Sequence, residues 1–126
     1  MAERKDLPRF IMCFCTGECP GFSQLELWKF INYVRNELDV AYAIIHPQLC
    51  VDDGDAFLED YLKDDKNLIY IVGGCDPKMQ RKMFKDAFQA KGLDIDKQLI
   101  SLDLRNMPTE KAMEIVKEAL EKISAK

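Results

Sequence analysis

The sequence predicts a three-layer α/β domain with about four mostly parallel strands and helices on both faces. Four short apolar runs alternate with four amphipathic helical patterns along the 126 residues. The runs are apolar throughout instead of alternating with polar residues, which is typical of strands covered on both faces. Strand and helix patterns that alternate at this spacing indicate βαβ units with right-handed crossovers. The order of the strands cannot be read from these patterns.

The predicted strands and the first two helices follow from local patterns. A capping box of Ser23 and Glu26 predicts the start of the first helix, ahead of an apolar stripe at helical spacing. The second helix is expected to begin near Asp53, where acidic residues suit a helix N-terminus. The strands are predicted at residues 10–13, 40–45, 68–72 and 99–102.

The last two helices have clear start and stop signals. Asp76 is a good N-cap and Pro77 a good first residue for the third helix, and Gly92 predicts its C-terminal end. Pro108 is expected to open the last helix, which carries a long apolar stripe. A chain of this length fits one compact domain, residues 1–126, with residues 1–8 predicted as a flexible N-terminus.

The charge balance excludes several function classes. The chain has 18 basic and 22 acidic residues and a net charge of −4, whereas nucleic-acid and anionic-membrane surfaces need clustered Lys and Arg. Its apolar runs are too short to cross a bilayer. The N-terminus is charged and has no apolar signal core, so we expect a cytoplasmic protein that binds neither nucleic acid nor membrane.

Cysteine positions give the clearest functional signal. A protein of a reducing compartment would not keep its five thiols paired. Each cysteine follows a predicted strand or lies in a loop that leads to a helix, and none lies inside a helix. Ligands of open α/β folds bind outside the carboxyl ends of the strands, so we expect the thiols to share that edge. They are Cys13, Cys15, Cys19, Cys50 and Cys75.

Several thiols at one edge suit a tetrahedral thiolate site. Zinc and iron–sulfur clusters both take four cysteines, and the spacing here is neither that of a zinc ribbon nor that of a bacterial ferredoxin. We predict a 4Fe–4S cluster held by four of the five, with Gly73 and Gly74 letting the backbone approach it. A structural zinc site is one alternative. The other is a sulfur-transfer protein whose nucleophile is Cys75, at a helix N-terminus that would favour the thiolate.

The sequence resembles the N-terminal iron–sulfur domain of the heterodisulfide reductase flavoprotein. The C-x-C and glycine pattern of that family looks like residues 11–17, and its second cysteine motif is similar to residues 49–54. Residues 74–84 and 91–94 resemble its later segments, whereas residues 104–107 match a further motif without its cysteine. A more distant resemblance is to the delta subunit of methyl-viologen-reducing hydrogenase.

The resemblance implies an electron-transfer module of an anaerobe. Such a module would act as a redox subunit of a larger flavin and iron–sulfur oxidoreductase complex, or exchange electrons with a ferredoxin. Cys19 is additional to the family pattern and would replace the missing late cysteine. No G-x-G-x-x-G dinucleotide motif occurs in the chain. The single histidine, His46, is expected in a surface or loop position.

Overall fold

The structure is a computed structural model that describes residues 4–14 and 20–124, and it confirms the predicted fold class. Four parallel strands form one sheet in the order β2-β1-β3-β4, with helices on both faces. The strands are β1 (Arg9–Cys13), β2 (Ala43–His46), β3 (Tyr70–Gly74) and β4 (Leu99–Asp103). The helices are α1 (Leu27–Glu37), α2 (Asp52–Tyr61), α3 (Pro77–Ala90), α4 (Ile95–Gln98) and α5 (Thr109–Ser124).

Two apolar cores lie on opposite faces of the sheet. Phe10 and Met12 of β1 point into a core with α1 and α5. Ile11 and Cys13 of the same strand point into a second core with α2 and α3. Successive residues of a strand point to opposite faces, so a strand covered on both sides must be apolar at every position. This explains why the strand sequences are continuous apolar runs.

The strand order creates a crevice at the carboxyl ends of β1 and β3. From β1 the chain passes through α1 to β2 on one side, and it then returns to place β3 and β4 on the other side. Neighbouring connections therefore diverge between β1 and β3, which is the position where open α/β folds bind ligands. Within residues 4–14 and 20–124, no helix is long and apolar enough to span a bilayer.

The predicted capping box at the start of α1 is wrong. Glu26 is the N-cap, and its side chain makes no capping hydrogen bond. Its backbone N–H instead donates to the hydroxyl of Thr109, 2.9 Å away on α5. Ser23 closes the short 3-10 turn Pro20–Phe22 by donating its N–H to the Pro20 carbonyl, at 3.2 Å. A tertiary contact thus replaces the local cap that the sequence pattern favoured.

The boundaries of α3 agree with the prediction. Asp76 is its N-cap and accepts a 2.9 Å hydrogen bond from the backbone N–H of Lys78. Gly92 follows the C-cap residue Lys91 and has a φ of 69°, a conformation that glycine adopts without strain. The short α4, which the sequence patterns did not indicate, is capped by the Asp94 side chain.

Removing the hydroxyl of Thr109 is expected to destabilise the packing of α1 on α5. Thr109 is 2% exposed, and its hydroxyl also donates to the Gln24 carbonyl at 3.4 Å. Thr109→Val keeps the shape of the side chain but leaves two part-buried backbone groups without this partner. We expect the free energy of unfolding to fall by about 1–3 kcal/mol in urea denaturation. Thr109→Ser should remain close to the native protein, and a valine variant as stable as the serine variant would contradict this account.

The segment before β1 is hydrogen-bonded to the rest of the domain. The Arg4 guanidinium donates to the carbonyls of Ala41, at 3.0 Å, and Arg35, at 2.9 Å. The N–H of Ala41 donates in turn to the Pro8 carbonyl at 2.8 Å. These bonds join the N-terminal segment to α1 and to the approach to β2. The flexibility predicted for residues 1–8 stays a prediction.

Candidate functional site

Three of the five predicted thiols lie at the carboxyl ends of neighbouring strands. Cys13 is the last residue of β1, Cys50 lies between β2 and α2, and Cys75 directly follows β3. We call this region, defined by these three residues, the cysteine edge. It adjoins the crevice between β1 and β3. The other two candidates, Cys15 and Cys19, lie outside the described residues.

Cys13 is packed in the interior. It is 5% exposed and belongs to the core formed with α2 and α3. Its sulfur accepts a hydrogen bond from the backbone N–H of Leu49, with 3.4 Å between the two atoms. This side chain therefore already has the environment of a buried apolar residue.

Cys50 and Cys75 are accessible from the solvent side of the edge. Cys50 is exposed, and its sulfur accepts a 3.1 Å hydrogen bond from the side-chain amide of Gln48. Cys75 is half-buried at the entry to α3. The fully buried Gln80 donates to the carbonyl of Cys75 at 2.9 Å and to that of Leu102 at 3.1 Å, so it links the β3–α3 turn to β4.

Arg105 brings a fixed positive charge to the cysteine edge. The N–H of Leu104 donates to the Gly74 carbonyl at 2.9 Å, which extends the β3–β4 ladder and places Arg105 close to the residue after Gly74. The guanidinium donates to the two carboxylate oxygens of Asp103 at 3.0 and 2.8 Å. This fork lowers the pKa of Asp103 below its usual value.

The same contacts raise the pKa of Arg105 further above its ordinary range, with smaller contributions from Cys75 and Asp76. Arg105 thus stays charged beside the half-buried thiol. Sequence reasoning noticed Arg105 only as part of an incomplete motif, and it did not identify Gln80. A glutamine on the apolar face of the α3 pattern was the available signal for Gln80.

Gly73 and Gly74 are both required by packing. A Cβ atom at Gly73 would lie 2.7 Å from a methyl carbon of Leu104 and 2.9 Å from the ring of Phe10. A Cβ atom at Gly74 would lie 3.0 Å from the carbonyl oxygen of Cys13. The two glycines therefore let the end of β3 sit close to β1 and β4. Their predicted role beside a cofactor stays a prediction.

The expectation for His46 is wrong. This residue ends β2 and is 8% exposed, and its ring lies 5.1 Å from that of Phe57. Its Nδ1 accepts a 3.0 Å hydrogen bond from the backbone N–H of Gln48. The loop after β2 folds back over the imidazole, which a local pattern cannot reveal. The acidic residues that follow do form the first turn of α2, as expected from helix electrostatics.

The donor chemistry of the cysteine edge suits a thiolate-bound group. Soft thiolates select zinc, copper(I) and iron–sulfur clusters. In the part of the chain that the structure describes, no group of three or more His, Cys, Asp or Glu side chains could hold a metal ion. Cys50 and Cys75 supply two accessible sulfurs, and a complete ligand set would need Cys15 and Cys19 as well. The four-cysteine set stays a prediction.

Comparison with known proteins gives one relationship that agrees with the sequence pattern. No family model matches the chain. The chain is 29% identical over 83 residues to a Methanococcus maripaludis protein, the first-lettered subunit of the H2/formate:CoB-CoM heterodisulfide,ferredoxin reductase. The match covers 65% of this chain and only 12% of that protein. It supports a related family at most, and it does not support the resemblance to the hydrogenase delta subunit.

Proposed function

We propose that this protein binds a 4Fe–4S cluster at the cysteine edge and transfers single electrons as part of an oxidoreductase complex. The observation that carries the proposal is the position of Cys50 and Cys75. Loops far apart in the chain present both thiols to solvent at the carboxyl edge of a parallel sheet. This edge is where such folds bind ligands, and thiolates are the usual ligands of iron–sulfur clusters.

The relationship to the Methanococcus maripaludis protein supports the choice of a redox module. The name of that protein describes a reductase for a heterodisulfide and ferredoxin, and the matched stretch covers 12% of its length. We infer that residues 1–126 form one iron–sulfur domain, which works with a larger flavin and iron–sulfur complex or with a ferredoxin. A reducing cytoplasm of an anaerobe would keep its thiols free to bind iron.

The structure favours a particular ligand set. Cys13 is packed in the core and bonded to the Leu49 N–H, so it is the thiol best explained without a cluster. We assign the ligands to Cys15, Cys19, Cys50 and Cys75. When bound, the cluster supplies one-electron transfer. Arg105 would offset part of the negative charge of the thiolates, and Gln80 would hold the Cys75 backbone in place.

Metal analysis of protein purified without oxygen tests the proposal. We expect about four irons and four sulfides per chain, a brown colour, and an electron paramagnetic resonance signal after reduction. Colourless protein with one zinc per chain would overturn the cluster and establish a structural zinc site. Quantifying iron, sulfide and zinc on the same sample distinguishes the two results directly.

Sulfur transfer is a second candidate because Cys75 precedes α3 and lies near the charge of Arg105. Here the Cys75 thiolate would attack a sulfur donor. The expected result is a colourless, metal-free protein in which one thiol reacts much faster than the others with iodoacetamide. Mass spectrometry of the alkylated peptides would identify that thiol, and labelling at any residue other than Cys75 would contradict this candidate.

A further inference from the structure

An apolar groove runs between the edge strand β4 and the helix α5. It has a volume of about 540 Å³ and lies at the side of the sheet, away from the cysteine edge. Its apolar lining comes from Ile100 and Leu102 of β4 and from Ile115, Ala119 and Ile123 of α5. We call this surface the β4–α5 groove. All five side chains are only half-buried in the single chain.

Helix α5 is apolar over a wider face than its packing in the chain requires. Its buried stripe of Ala112, Val116 and Leu120 fills the core shared with α1. The residues Ile115, Ala119 and Ile123 form a second stripe at four-residue spacing, and this stripe lines the groove. Apolar surface of this kind next to a sheet edge is typical of an interaction site.

Strand β4 has none of the usual protection of an edge strand. Among the described residues, it pairs with β3 on one side and with no strand on the other. It contains neither lysine nor proline, and its one charged residue, Asp103, is at its end and bonded to Arg105. Natural edge strands usually carry charges, prolines or bulges that prevent pairing with another chain.

We propose that the β4–α5 groove is covered by a second copy of this chain in a two-fold symmetric dimer. Symmetric pairing of two chains requires a surface that is complementary to itself. A two-fold axis near Ser101 pairs the two β4 strands antiparallel and continues the sheet from one chain to the other. The same axis passes near Ala119, a small residue at the centre of the exposed α5 stripe. It sets Ile115 opposite Ile123 of the partner subunit.

The charges along the groove have the same self-complementary arrangement. Glu118 and Lys122 border the groove, one helical turn apart, and neither belongs to an ion pair among the described residues. In the antiparallel arrangement, Glu118 faces Lys122 of the partner subunit, and the reciprocal pair forms on the other side of the axis. Charge complementarity of this kind selects one partner and one orientation. It is the reason for assigning a second copy to the groove.

Sedimentation velocity over a range of concentrations tests the dimer. The expected mass is about twice the 14.6 kDa of the chain. Glu118→Lys and Lys122→Glu should each weaken dimerisation by about tenfold or more, because each places like charges opposite one another. The double variant Glu118→Lys/Lys122→Glu should restore it, since the exchanged charges are complementary again. Circular dichroism confirms that each variant is folded.

A matched control lies on the other flank of α5. Lys117 and Glu121 have the same spacing but border a different surface, beside Leu38. Reversing either charge should leave the dimer unchanged. A chain that stays monomeric at all concentrations would overturn the proposal, and so would capture of a different protein by the groove. A dimer that tolerates Glu118→Lys, or a double variant that fails to recover, would overturn the two-fold pairing.

Discussion

Replacing Cys75 by serine is expected to reduce the iron of anaerobically prepared protein from about four atoms per chain to fewer than about one. Cys75 is half-buried at the carboxyl end of β3, where its sulfur is available to a ligand. A hydroxyl is a poor substitute for a thiolate toward iron. The same loss is expected for Cys50→Ser, whose sulfur is exposed at the same edge. Iron and sulfide analysis and the visible absorption spectrum measure the effect.

Cys13→Ala is the matched control for these two variants. Because Cys13 lies in the core, its replacement should keep the iron and lower the free energy of unfolding by about 1–2 kcal/mol. Full iron content in both Cys50→Ser and Cys75→Ser would show that the ligand assignment is wrong. Loss of iron in Cys13→Ala, with folding preserved, would return Cys13 to the ligand set. Absence of iron from the unmutated protein instead refutes the cluster itself.

Gly54→Ala is expected to destabilise the domain by about 3 kcal/mol or more, or to prevent folding. Gly54 is buried in the first turn of α2, and a Cβ atom there would lie 2.2 Å from the carbonyl oxygen of Leu49. That oxygen belongs to the backbone of a fully buried residue, so no side-chain rotation can relieve the overlap. Either α2 or the loop before it must move. Urea denaturation followed by circular dichroism gives the loss of stability.

The Gly54 variant also connects the fold to the site. Leu49 bonds to the sulfur of Cys13 and immediately precedes Cys50, so moving this loop displaces both thiols. Gly92→Ala is the control, since a Cβ atom at Gly92 meets nothing within 4 Å and is disfavoured only by the φ of 69°. That strain costs about 1–2 kcal/mol. If Gly54→Ala costs no more than Gly92→Ala, the close contact with Leu49 is not what requires the glycine.

The comparison of predicted and observed elements shows which signals are local. Asp76, Pro77 and Gly92 act on backbone groups within a few residues of themselves, and α3 begins and ends where they indicate. The strand predicted at residues 40–45 is instead Ala43–His46, and the one predicted at 68–72 extends to Gly74. Strand ends depend on the neighbouring strand that supplies hydrogen bonds. Sequence patterns therefore locate strands better than they bound them.

The capping of α1 shows where local reasoning fails. Ser23 and Glu26 have the spacing of a capping box, yet Thr109, far along the chain, accepts the Glu26 N–H. A buried hydroxyl that also binds the Gln24 carbonyl competes successfully with the local side chain. Packing of α5 against α1 brings this hydroxyl to the helix start. Nothing within the window of residues 20–30 could predict it.

The sequence by itself determined the α/β class, the positions of the helices, and the fact that thiols follow strands. These properties follow from local periodicity, which records the residues that prefer burial. Only the tertiary structure decided the strand order, the burial of Cys13 and His46, and the place of Arg105 beside Cys75. Each of these depends on which distant segments pair, and pairing is set by packing over the whole sheet, which no short stretch of sequence contains.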